Sequence, residues 1–216
     1  FSVSEIIDFG KGVIDAKSKV DVFKMGLAQM LDSQRAVSEL YPQIVRLAQT
    51  TPFQVEDLFQ TTMRLKAMGV ATSELVPTLE MLGNAAAVVG TDKLPLVAKA
   101  YTDVMNKGKL MKQEINQFAE NGIPIYDLLA ESMGKTREQV VKLAEDHKIS
   151  FDQVKKALQD ASSEGGRYYG MMNVQAQTLA GRVSNLKDAY FLAKAAIGDY
   201  FENTLSKGID ITQKFI

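Results

Sequence analysis

The chain contains no cysteine, which excludes disulfides, thiolate metal sites and cysteine nucleophiles within it and leaves its redox compartment unreadable. It has a single histidine, His147, so no His-x-x-x-His metal pair can form, and no serine stands in a Gly-x-Ser-x-Gly context. Long apolar runs are missing as well. Ala85-Ala86-Ala87-Val88-Val89 is far shorter than the roughly 20 residues a helix needs to cross a bilayer. The formal net charge is only −1, so no strong field favours DNA, RNA or an anionic membrane. Alternating β-branched runs bounded by turns are absent, and no fixed repeat is evident beyond heptads.

What is present is an ordinary globular composition: 216 residues, 46% hydrophobic and 24% charged. The chain opens on Phe1 and ends on Gln213-Lys214-Phe215-Ile216 inside an apolar pattern, and it reads as a fragment of a longer protein. Two heptad stripes bracket a different middle. The first runs Ile6, Phe9, Val13, Ala16, Val20, Phe23, Leu27, Met30, Gln34, Val37, Tyr41, Ile44. The second runs Leu179, Val183, Leu186, Tyr190, Ala193, Ile197, Tyr200. Such a period keeps one apolar seam facing a partner. Each stripe reads either as the core face of a long helix or as a coiled-coil seam. The two are expected to pair with each other, antiparallel, within one chain. Asp32-Ser33 is placed to cap a new helix, and Pro42 to kink it.

The middle reads as short helices with explicit stops. Three capping boxes mark starts: Thr51 with Gln54, Thr136 with Gln139, and Ser150 with Gln153. Pro52 falls at the expected first helical position. Gly69, Gly90, Gly108, Gly122 and Gly134 follow apolar-periodic runs, as left-handed residues after a helix do. The predicted helices are 3–31, 34–49, 52–68, 74–89, 93–107, 112–121, 124–133, 137–147, 151–162 and 171–212. Ser162-Ser163 with Gly165-Gly166 reads as a flexible joint. The expected organisation is all-α: heptad helices over 1–49, a compact module of short capped helices over 50–164, and a long helix over 165–216.

Candidate chemistry is sparse. Gly134-Lys135-Thr136 ends like a phosphate-binding loop, but position 129 is leucine where that loop requires glycine, so it reads as a helix stop followed by a cap. Gly10-Lys11-Gly12 lacks the third glycine of a dinucleotide fingerprint, since residue 15 is aspartate. His147 reads as a group near the last carbonyls of a helix. Glu131-Ser132 is similar to the catalytic pair of lysozyme-like transglycosylases, whose chemistry needs a carboxylic acid in a sugar-binding groove; the motifs that complete such a groove are absent. Asp103, Glu114, Glu120 and Glu145-Asp146 read as solvated charge. Arg167-Tyr168-Tyr169 reads as packing rather than base stacking. Met25, Met30, Met63, Met68 and Met105 read as core filler. No residue is assigned to catalysis, to a cofactor or to a metal, and the chain is expected not to be an enzyme.

A series of short motifs carries a resemblance. In order they are Leu47-Ala48-Gln49-Thr50-Thr51-Pro52-Phe53, Met68-Gly69-Val70, Leu82-Gly83-Asn84-Ala85-Ala86-Ala87 and Lys107-Gly108-Lys109-Leu110. Asn121-Gly122-Ile123-Pro124-Ile125, Asp127-Leu128-Leu129-Ala130 and Lys148-Ile149-Ser150-Phe151-Asp152 follow. The last are Gly165-Gly166-Arg167 and the run from Gln177-Thr178-Leu179-Ala180-Gly181-Arg182 to Asp188. Over roughly residues 45–190 the chain resembles the N-terminal domain of phage tail tape-measure proteins. The resemblance implies a structural protein that sets tail length, occupies the tail tube and is linked to genome ejection. It implies other copies of itself and tail-tube, tail-chaperone and baseplate proteins as partners. It places the protein in the virion tail and, during assembly, in the host cytoplasm. Sequence-specific nucleic-acid binding and membrane contact are not expected. Two alternative readings are a host-side helical adaptor with coiled-coil arms and, more remotely, a muralytic domain around Glu131.

Overall fold

The computed structural model describes residues 2–213, with side chains described through Glu202. It is all-α: α1 Val3–Leu31, α2 Gln34–Thr50, α3 Val55–Ala67, α4 Leu75–Val89, α5 Leu94–Lys107, α6 Lys112–Glu120, α7 Ile125–Met133, α8 Arg137–Glu145, α9 Phe151–Ser162, α10 Met171–Ala176 and α11 Leu179–Gln213. Among the described residues there is no strand; Lys109 and Ser150 make an isolated bridge. Two compact units result: the described residues of 1–41 with those of 186–216, and Pro42–Asn185.

In the first unit, α1 starts at a reciprocal cap. The Glu5 amide donates to Ser2 Oγ at 3.2 Å and the Ser2 amide donates to Glu5 Oε2 at 2.7 Å. The helix stops at Asp32, in the left-handed conformation at φ +48°. Ser33 then opens α2 by accepting the Ala36 amide at 3.2 Å. The first heptad stripe is buried in α1 through Val13, Ala16, Val20, Phe23 and Leu27 and again at Val37 of α2, whereas Ile6 and Phe9 at its start and Met30 at the break between the helices are exposed. Phe23 meets Tyr41 of α2 with ring centroids 6.3 Å apart.

Helix α11 joins α1, but not as the heptads predict. Leu186, Tyr190 and Tyr200 of the second stripe are exposed, while Asp188 and Ala195 on the opposite face are buried. The pairing is also parallel: a Cβ on Gly12 would meet Lys194, and one on Gly198 would meet Lys17, so residue numbers rise together along both helices. Lys17 explains the choice of face. Its side chain is 14% exposed and reaches Asp21 on α1, Asp199 at 3.3 Å and Glu202 at 2.8 Å. Burial opposes its charge, but the bonds from Asp21, Glu202 and Asp199 outweigh burial and hold the ammonium above the ordinary lysine range. A partly buried cation needs such carboxylates, and on α11 they lie opposite the apolar stripe. Gly198 leaves room for the lysine stem.

In the second unit α4 is central, packed by α3, α5, α9 and α10. Leu75, Leu79, Met81, Leu82, Ala85, Ala86 and Ala87 are all buried. A helix apolar over most of its circumference belongs in a core. The boxes at Thr136–Gln139 and Ser150–Gln153 form as expected, and the five stop glycines all have positive φ. The expected Thr51–Gln54 box does not form. Helix α3 begins only at Val55, and Pro52 lies in the connecting segment rather than in a first turn. Thr51 and Phe53 are instead drawn into the core, each almost wholly buried, so tertiary packing overrides the local signal. The predicted helix 171–212 is broken between α10 and α11. The expected joint at 162–166 is a packed turn: Gly166 donates to Ser163 O at 2.8 Å and Tyr168 to Ala161 O at 2.7 Å. Of the five methionines assigned to core, Met25 is 70% exposed and Met30 40%, and Met63, Met68 and Met105 are half-buried; the buried methionines are two others, Met81 and Met172.

His147 occupies the left-handed position after α8, at φ +57°, with its amide on Ala144 O and the Lys148 amide on Leu143 O. That conformation costs a side-chain-bearing residue about 1 kcal/mol, partly offset by glycine's greater freedom when unfolded. Replacing His147 with glycine is expected to raise the melting temperature by a small, reproducible amount, measured by circular dichroism.

Candidate functional site

The motifs that carry the resemblance meet in pairs within the second unit. Leu110 donates to Ile149 O at 2.9 Å and Phe151 to Gly108 O at 3.0 Å, clamping the α5–α6 and α8–α9 connections together. Gly108 makes the sharp turn at φ +69°, and Phe151 packs edge-on to Tyr101, centroids 5.1 Å apart. Elsewhere, a Cβ on Gly83 would lie 2.5 Å from Met172 Sδ and 3.1 Å from Phe53, so the absent side chain lets two elements seat on α4. The Met172 amide donates to Asn84 Oδ1 at 3.2 Å. With its nitrogen turned inward, the Asn185 amide donates to Thr51 O at 2.5 Å. These residues lock helix ends to one another.

Glu131-Ser132 and Gly165-Gly166-Arg167 also converge, on a cleft of about 430 Å³ lined by Leu128, Glu131, Ser132, Asp160, Gly166 and Arg167. Every polar group there is engaged. Glu131 pairs with Arg167. Ser132 Oγ donates to Asp160 Oδ2 at 2.5 Å, and Lys156 sits 2.8 Å from the same carboxylate. The Lys156 ammonium first, and Ser132 second, hold Asp160 below the usual carboxylate range. A general acid needs a carboxyl kept protonated by burial or by like charge; here each carboxylate faces a cation. Tyr168 is buried, as packing requires.

Two of the charges read as solvated are otherwise placed. Glu114 is fully buried against α5 with Lys107 Nζ 2.6 Å away. Asp103 is partly buried between Lys99 at 2.6 Å and the Gln117 amide at 3.2 Å. Lys99 and Asp103 have the i,i+4 spacing of a helical ion pair, whereas Gln117 and the Lys107–Glu114 pair reach across the Gly108 stop, where helical spacing gives no signal. His147 is exposed. Among the described residues no group of three or more His, Cys, Asp or Glu could hold a metal ion, and no helix is long and apolar enough to cross a membrane.

The exposed surface of the first unit is conspicuously apolar. On α1, Val3, Ile7, Ile14, Val22 and Met25 are between 51% and 75% exposed, and they share one helical face, roughly opposite the buried stripe. On α11, Leu186, Tyr190, Tyr200 and Phe201 are 55–70% exposed.

Interlocked short helices, charge groups tied in pairs, and long helices with outward apolar stripes define a helical assembly module. A family model described as "Tape measure protein" matches residues 11–199. The chain belongs to the tape measure protein family, structural proteins of phage tails. It is also 26% identical over 185 residues to "Mu-like prophage FluMu protein gp42" of Haemophilus influenzae. That match covers 84% of this chain but 28% of the relative's length. No solved structure matches it.

Proposed function

We propose that the chain is the part of a tape-measure protein that anchors the ruler at one end, while the helical remainder of the protein sets the length of the tail. Family membership carries this reading, and the physics suits it. An α-helix rises about 1.5 Å per residue, so helical chain converts residue count into length. The module over 50–164 supplies a compact anchor, and the heptad helices over 1–49 and 165–216 supply arms. Copies of the protein lie side by side through the outer stripe of α1, inside the tail tube. Tube, chaperone and baseplate proteins are its partners. Assembly takes place in the host cytoplasm, and the product resides in the virion tail.

The module has no catalytic role in this reading. The engaged state of Glu131, Ser132 and Asp160 supports that. Glu131→Gln in the full-length protein is expected to leave tail yield and plaque formation unchanged, with a stability change below about 1 kcal/mol because the pair is solvent-exposed. Deletion of 50–164 is expected to abolish tails. Normal tails from the deletion, or loss of a cell-wall lytic activity on Glu131→Gln with folding intact, contradict the reading.

A further inference from the structure

We infer that the outward face of α11 is a docking surface for a separate amphipathic helix whose flanking positions are acidic, and not for a second α11. The observations are the exposed heptad and the sign of the charges beside it. Within the first unit Leu186 and Ala193 take heptad position d, and Tyr190 and Ile197 take a. Leu186 and Tyr190 are 70% and 55% exposed. A coiled coil normally turns its f positions to solvent; here the first two f residues, Asp188 and Ala195, are buried and the third, Glu202, reaches Lys17 of α1, so the helix packs by its back and presents its seam outward.

Partner choice in a coiled coil is set largely by charges at e and g. In α11 the e positions are Lys187, Lys194 and Phe201, two of the three cationic, and the g positions are Ala189 and Ala196. One heptad earlier the g residue is Arg182, again a cation. A second α11 in parallel register would set lysine against alanine, and one heptad earlier arginine against lysine. An antiparallel copy would bring lysine e positions together. Neither arrangement offers an opposite charge, and like charges across an interface select against that partner. Of the acids in this part of α11, Asp199 and Glu202 hold Lys17 of α1, and Asp188 is buried.

A cleft of about 660 Å³ between α1 and α11 is lined by Glu5, Ile6, Asp8, Phe9, Tyr190 and Lys194. Its two carboxylates belong to α1: Glu5 bonds Ser2, and Asp8 is exposed, 4.0 Å from Lys11. The Lys194 ammonium rests over the Tyr190 ring at 4.2 Å and the Phe9 ring at 5.9 Å. A docked helix with glutamate at its flanks would cover Leu186 and Tyr190 and give Lys187 and Lys194 a carboxylate each. The exposed alanines Ala189, Ala193 and Ala196 permit close approach.

The inference is independent of the ruler role. Two synthetic helices about four heptads long, each with leucine at a and d, serve as probes for the 216-residue chain; one carries glutamate at e and g, the other lysine. Fluorescence anisotropy is expected to show the glutamate peptide binding roughly tenfold or more tighter than the lysine peptide. Lys187→Glu, at an exposed site, is expected to narrow that ratio, and Lys187→Glu with Lys194→Glu to invert it. Leu186→Asp is expected to lose both peptides, with unchanged circular dichroism. Equal binding of both peptides, binding of neither, or self-association of the chain in sedimentation that Leu186→Asp abolishes would overturn the inference.

Discussion

Replacing Gly181 with alanine is expected to cost the second unit about 2–3 kcal/mol, the penalty of overpacking a rigid contact. Inside a free helix the same change would add about 1 kcal/mol of stability. The difference lies in what the new methyl would meet. A Cβ at Gly181 would lie 2.3 Å from the Gln175 carbonyl oxygen and 2.7 Å from the Ala176 Cα. Both are backbone atoms of the preceding α10 segment and cannot rotate away. Gly10 of α1 is the control, because nothing lies within 4 Å of its Cβ position. Gly10→Ala is expected to stabilise by about 0.5–1 kcal/mol. Urea unfolding followed by circular dichroism separates the two. A stabilising Gly181→Ala would show that α10 and α11 do not approach as described.

Val20→Asp is expected to be at least as damaging, at about 3–5 kcal/mol, because it strands a charge in an apolar contact. Val20 is 1% exposed, in the centre of the α1 stripe, one turn from Lys17 and beside Asp21. Helicity should fall by the contribution of the first unit while Pro42–Asn185 retains its own. Ile14→Asp, at a position 71% exposed on the other side of α1, should stay within about 0.5 kcal/mol of the parent. Equal effects at both positions would mean that α1 has no preferred buried face.

The contrast between those two residues shows where sequence reasoning reaches and where it stops. Helix starts and stops are local chemistry: a serine or threonine with glutamine three residues on, or a glycine at positive φ, so α1, α8 and α9 are legible almost to the residue. The Ser2–Glu5 box is an equally plain signal of the same kind. The Thr51 box has the same letters but fails, because Phe53 is worth more in the core than the cap is at the surface. The seam of α11 is legible as a stripe, yet not which way it faces. That is decided by Lys17, a residue of another helix that requires Asp199 and Glu202. Burial of Glu114 is invisible for the same reason, since its cation sits across a turn. At the Glu131 cleft, the residue pair is plain in the sequence, and the neutralising Arg167 and Lys156 are not.

The most direct test of the ruler reading is tail length in the full-length protein. In-frame deletions and duplications of helical sequence outside residues 11–199 should change the tail, measured by electron microscopy, by about 1.5 Å for each residue removed or added. Tails of unaltered length across such a series, with the variant proteins present in the particles, would contradict it.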